Sequence, residues 1–367
     1  MSSTIKANTN EESMLFRLAN NIPFDDRPNH SATLADLRPS YISNFLYRIN
    51  SDMYEISETM SIGSLATNMH ISGEIPENIR PLNVGLLFFN DRPDKFFPNS
   101  WIEVVNKPDP TGDLMIERTF YGPLDKQLTD ALGYIRNSIL AEKVVKFPNR
   151  AESVRYFNYP YRAIQELLGN AVHHKGYDTR HPITVYVTPE NMAITSAPGP
   201  DLSISDENLK QYKMISSLYR NRRIGDFLKE LKFVEGRNTG IPRAIKALID
   251  NGSSLPLFET DPERSYFRVT IPIHNGFLSE REDDNSRELA GVKFYRSKEE
   301  ICSLIIKILD GGAFSKADLV QRMGYSKLNN TIASVIEQML SDGIIVSMTQ
   351  GNVHDPDQKL RLSRITH

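Results

Sequence analysis

The 367-residue chain has one cysteine, Cys302, and one tryptophan, Trp101; it has no long apolar run and no large surplus of either charge. A lone thiol excludes a disulfide framework within the chain and a multi-cysteine zinc site. The longest apolar stretch, Val84 to Phe89 with Gly85 inside it, is about six residues, against the roughly 18 to 20 that a membrane helix needs. The first thirty residues contain no apolar segment suited to secretion. A reducing cytoplasm is therefore the expected compartment. With 43 Lys and Arg against 46 Asp and Glu, the net charge is -3. Nothing global draws the chain to nucleic acid or an anionic membrane, so any nucleic-acid contact must be local.

What is present suffices for more than one core: 40% of the residues are hydrophobic, and the length points to two or three domains. Residues 1–33 are polar, then rich in Pro, Asp and Asn, and read as an extended lead-in. An α+β domain is expected over 34–150. In it Ile42, Phe45, Leu46 and Ile49 recur at helical spacing, and Leu82 to Phe89 suits a buried strand. Trp101 to Val105 and Leu114 to Phe120 alternate like strands, and Leu128 to Val144 carries a helical stripe. A second unit is expected over 151–278. It starts with a helix to His174 that buries Ile164, Leu167, Leu168 and Val172. Strands follow at Ile183 to Val187 and Met192 to Thr195, then helices at Asn208 to Ile215, Ile224 to Leu231 and Ile241 to Asn251, and a closing strand at Tyr266 to Ile273. Residues 279–296 are charged and polar, and read as a linker.

The chemistry concentrates on the helix ending at His174. Glu166 and Asn170 are four apart, with His173 and His174 three and four further on, so these polar side chains share one face. A carboxylate can polarise a water, and an amide oxygen one turn away can complete the oxygen shell of a magnesium ion, a pairing suited to phosphate-ester chemistry. The two histidines read as helix-end structure rather than metal ligands. Gly236, Thr239 and Gly240 lie in a glycine-containing stretch leading into a helix, whose N-terminal N–H groups can face phosphate oxygens. Arg220, Arg222 and Arg223 read either as a solvated basic face or as cations serving a triphosphate.

The order of these parts, Glu166-Leu167-Leu168-Gly169-Asn170, then Ser196-Ala197-Pro198-Gly199-Pro200, then Gly236-Arg237-Asn238-Thr239-Gly240-Ile241, resembles the GHKL ATP-binding family. More narrowly, it resembles the bacterial regulators that carry a Schlafen-type AlbA domain and a C-terminal helix-turn-helix. The resemblance spans roughly Asn21 to His274. It implies a Bergerat-type α/β sandwich binding ATP and Mg²⁺, with Glu166 as general base and Asn170 as magnesium ligand. It also implies Gly199, Arg222, Gly236, Thr239 and Gly240 around the nucleotide, and Thr270 near the adenine. At the family's D-x-G-x-G box this chain has Ala197 in the place of the aspartate and lacks the second glycine. The AlbA domain is not expected ahead of the matching region, and a protein partner supplying it is one expectation.

Residues 297–367 order as helix, helix, helix and two strands, which reads as a winged helix-turn-helix. Ser315 to Asp318 resembles a capping box. The segment holds eight basic and eight acidic residues, so DNA binding and protein docking stay open. Ser326, Lys327, Asn329 and Asn330 are the residues placed to contact DNA. The expected whole is a homo-oligomeric ATP-dependent regulator with slow hydrolysis. The alternatives are a non-catalytic DNA-binding regulator and a component of phage defence or of a toxin-antitoxin pair.

Overall fold

The structure, a computed structural model, describes residues 12, 22–73, 79–109, 114–146, 153–214, 219–234, 239–278, 298–310, 312–322, 330–347 and 359–363. The chain divides into two compact units, Met1–Ser286 and Arg287–His367. Among the described residues no helix is long and apolar enough to cross a membrane.

In the first unit α1 (Pro39–Arg48), α2 (Met53–Ser57) and α3 (Ile62–Asn68) lead to the short strands β1 (Ser72–Gly73) and β2 (Arg80–Pro81) and to α4 (Asn83–Phe89). Next come β3 (Ile102–Asn106), β4 (Ile116–Phe120), α5 (Leu124–Ser138) and a hairpin of β5 (Glu142–Lys146) with β6 (Ser153–Phe157). The remainder is α6 (Tyr161–His174), β7 (Ile183–Val187), β8 (Asn191–Ser196), α7 (Asp206–Lys210), α8 (Arg222–Glu230), α9 (Gly240–Asp250), β9 (Leu257–Glu259) and β10 (Phe267–Pro272). This is a mixed α+β architecture.

Six strands form one mixed sheet in the order β4-β3-β7-β8-β10-β9. Only the β3–β7 pairing is parallel. A buried row crosses five strands through Val104, Val185, Ile194, Val269 and Phe258, each opposite the next in register. Helix α6 lies against β8, α9 lies along α6, and α5 packs on β3 and β4. Neighbouring residues of a strand point to opposite faces. The alternate row, Glu103, Thr184, Thr195, Arg268 and Glu259, accordingly stays partly or fully exposed.

Three sequence expectations change here. Residues 83–89 form a helix, not a strand: all seven side chains of α4 are buried, and a segment buried all round has no period by which to tell helix from strand. The boundary read between residues 150 and 151 does not separate two cores, because β3 and β4 share a sheet with β7 to β10. Phe45, Phe88 and Phe89 also gather round Phe227, with ring centroids at 4.9, 5.0 and 5.7 Å. The part of the lead-in from Ile22 onward packs against the rest: Ala32 is fully buried, and so is Asp25.

Asp25 does the work of a helix cap from a distance. The N-cap residue of α8, Asn221, makes no side-chain cap. Instead Asp25 Oδ2 accepts from the Ile224 N–H at 2.9 Å, satisfying a first-turn donor of α8. Burial raises the Asp25 carboxyl from 3.8 to about 6. A carboxyl raised in the folded state binds its proton more tightly there, so its contribution to stability is full below about pH 4 and lost as pH rises to about 6. Asp25→Asn should therefore gain stability relative to the wild type across that window, by roughly 3 kcal/mol in all. Denaturant titrations of both proteins at several pH values check this; parallel pH curves would refute it.

The second unit runs α10 (Lys298–Leu309), β11 (Phe314–Ser315), α11 (Lys316–Arg322), α12 (Asn330–Ser341), β12 (Ile345–Ser347) and β13 (Lys359–Leu362), with an antiparallel sheet in the order β11-β13-β12. Ile301, Ile305, Leu319, Val335, Ile336 and Leu360 are among its buried core. The capping box is present: the Asp318 N–H donates to Ser315 Oγ at 3.0 Å, and the Ser315 N–H donates to Asp318 Oδ2 at 3.2 Å. The short strand β11 is the element that the sequence pattern did not announce.

Candidate functional site

Helix α6 forms because Ala163, Ile164, Leu167, Leu168, Ala171 and Val172 repeat on the side turned to the sheet, and all six are buried. Glu166 is buried with them, at 6% exposure. Among the described residues no hydrogen bond acts on its carboxylate, only the charges of Arg243 and Arg162. An ionised carboxylate without donors is costly in the interior, and burial accordingly lifts the Glu166 carboxyl above the usual range; Arg243, then Arg162, pull it back. A carboxyl raised in this way takes a proton more readily than an ordinary carboxylate.

Asn170 lies one turn on. Facing both is the first residue of α9: a β-carbon at Gly240 would stand 3.2 Å from Glu166 Oε2 and 3.6 Å from each amide atom of Asn170. Glycine lets the backbone of the α9 N-terminus come close to the carboxylate and amide. That terminus is not capped by the Thr239 side chain, so its first N–H groups lie where an anion would be favoured. Three residues picked from the sequence, Glu166, Asn170 and Gly240, thus meet, with Thr239 beside them. Gly236 lies outside the described residues.

Other candidates have different tasks. Gly199 is enclosed by its own chain: its N–H donates to Arg264 O at 2.6 Å, and a β-carbon there would stand 2.7 Å from Thr260 Oγ1 and 2.8 Å from Tyr266 O. Close backbone packing explains this glycine. The adjoining Ala197-Pro198 bond is cis, and Ala197 is buried. Thr270 sits opposite Ala193, on the sheet face away from Val269 and Ile271, so strand parity separates it from Glu166 and Asn170.

Arg220 and Arg223 of the basic stretch are spent on structure. Arg220 Nη1 donates to His174 O at 2.5 Å and Nη2 to Gly199 O at 3.2 Å. Asn221 Nδ2 donates to His173 O at 2.9 Å and to Lys175 O at 2.6 Å. Both side chains thereby satisfy carbonyls at and just past the end of α6, which the helix itself cannot. Arg223 pairs with Asp26 at 3.6 Å, and Arg222 is exposed at the start of α8. His173 stacks on Tyr219 at 5.9 Å, and burial pulls its imidazole down to about 4, so it is neutral at pH 7. In the second unit Ser326, Lys327 and Asn329 lie outside the described residues, and Asn330 is the first residue of α12.

Sequence reasoning missed Arg243 and Arg162. Arg162 stands four residues before Glu166 on α6, a spacing that could have flagged it. Arg243 comes from the first turn of α9, and only the packing of α9 along α6 brings its charge to Glu166.

Comparison with known proteins adds two findings. The family model HATPase_c_4, described as "Putative ATP-dependent DNA helicase recG C-terminal", matches residues 181–271. This stretch is HATPase-type in sequence; the match takes in Gly199, Arg222, Gly236, Thr239, Gly240, Arg243 and Thr270 and begins after Glu166 and Asn170. Among solved structures the chain is similar to the crystal structure of the DIP2311 protein from Corynebacterium diphtheriae, with a TM-score of 0.53 and 15% identity over 96% of this chain and 72% of that one. At that identity the likeness concerns fold. No curated protein matches the chain.

Proposed function

We propose that the first unit is a GHKL-type nucleotide site in which ATP binds over α6 and the N-terminus of α9. The observation that carries this reading is the meeting of Glu166, Asn170 and Gly240, flanked by the HATPase-type match to residues 181–271. The donor set fits a magnesium ion delivered with phosphate. Among the described residues no three His, Cys, Asp or Glu side chains cluster as a metal cage. Magnesium commonly takes one or two protein oxygens and fills its shell with phosphate and water. Asn170 Oδ1 would be such an oxygen, and the bound ion would neutralise phosphate charge. Glu166, buried and under the charges of Arg243 and Arg162, would orient a water and take its proton. On this reading hydrolysis would be slow and used as a switch.

The second unit has the element order helix, strand, helix, helix, strand, strand, and we read it as a winged helix that passes the nucleotide state to DNA or to a protein partner. Gly240→Val tests the nucleotide site. Its side chain would fill the space between Gly240 and Glu166, so ATP·Mg²⁺ affinity should fall at least about tenfold while the melting temperature holds within a few degrees. Unchanged affinity in a folded variant would place the nucleotide elsewhere.

A further inference from the structure

Arg243 has no part in the sequence motifs, and its position gives it one. It lies three residues after Gly240 in the first turn of α9. Positions three apart are neighbours on a helix surface, and Gly240 is the residue that meets Glu166 and Asn170. The Arg243 side chain is half-buried, whereas Arg162, the other cation acting on Glu166, is exposed. An exposed charge is screened by water and salt; a half-buried guanidinium is screened less and its forked donors are better held. Two groups at this point call for a cation: the Glu166 carboxylate, 6% exposed and held by charges rather than by hydrogen bonds among the described residues, and any phosphate drawn to the N-terminal N–H groups of α9.

We propose that Arg243 is the phosphate-reading side chain of this site, shared between Glu166 and the terminal phosphate of a bound nucleotide. The inference rests on the nucleotide reading above and adds to it a residue and a specificity. A guanidinium placed for the last phosphate gains more from a triphosphate than from a diphosphate. As it turns to the phosphate it leaves Glu166 less stabilised as an anion, and so a stronger base. Arg243 is thus a discriminating residue as well as an electrostatic partner of Glu166.

The test is a titration of the full chain, as wild type, Arg243→Ala and Arg243→Lys, with ATP and separately with ADP, each with Mg²⁺. Arg243→Ala should weaken ATP binding about tenfold or more and ADP binding much less, bringing the two affinities together; Arg243→Lys should recover part of the preference. The acidic limb of the pH profile for ATP turnover should also move to higher pH in Arg243→Ala, because Glu166 loses a cation that holds its carboxyl down. A folded Arg243→Ala that keeps the wild-type ATP to ADP ratio, while Asn170→Ala loses ATP, would overturn this inference and leave the nucleotide site standing. A wild type that binds neither nucleotide would overturn both.

Discussion

Phe227→Ala should cost the first unit about 3 to 5 kcal/mol of stability, among the largest effects of any single truncation in it. Phe227 is 6% exposed on α8 and its ring meets Phe45, Phe88 and Phe89 within 5.7 Å. The three partners come from the first half of the unit, and Phe227 from the second. Removing the ring leaves a cavity lined by Phe45 of α1 and by Phe88 and Phe89 of α4, none of which can move into it without leaving its own contacts. The loss should therefore be global. Trp101 precedes β3 and reports on the first half; far-ultraviolet circular dichroism reports on all helices. In a denaturant titration the tryptophan signal should shift to a lower midpoint in Phe227→Ala, although the substitution lies on α8. A loss below about 1 kcal/mol, or an unmoved Trp101 transition, would mean that residues 34–150 and 151–278 are separate cores after all.

That single core was the least legible feature of the sequence, for a physical reason. Periodicity reports which face of an element is buried, not which distant element covers it. Strands β7 and β8 and helix α6 could be read directly, since Ile183, Val185 and Val187 alternate and the α6 stripe repeats at 3.6. The parallel pairing of β3 with β7 leaves no local mark, and neither does the capping of α8 by Asp25. Helix α4 was misread because burial on all sides erases the pattern. Hairpin β5–β6 passed unnoticed because Val144, Val154 and Phe157, 41 to 51% exposed, give no buried stripe.

The candidate site divides in the same way. Glu166 and Asn170 were visible because one helix carries both, and Gly240 because its glycine precedes a helix. Thr270 was placed by its position in the closing strand, and strand parity puts it on the other face. Arg220 and Arg223 read either as a solvated basic face or as cations for a triphosphate, and the carbonyls at the end of α6 and the Asp26 carboxylate claim them instead. Arg243 could not be picked out beforehand, since its relevance arises from α9 lying along α6.

The amide of Asn170 gives the second large expectation and the most direct test of the account. If Asn170 supplies an oxygen to magnesium at the phosphates, removing it leaves the ion one ligand short at the only protein oxygen the proposal assigns to it. Because Asn170 is only half-buried, the truncation should leave the fold intact. The measurement is isothermal titration of ATP with Mg²⁺ into the wild type and into Asn170→Ala. The account predicts saturable binding by the wild type and affinity weaker by more than about tenfold in the variant, at similar melting temperatures. Equal affinities, or no binding by the wild type at millimolar ATP, would contradict it.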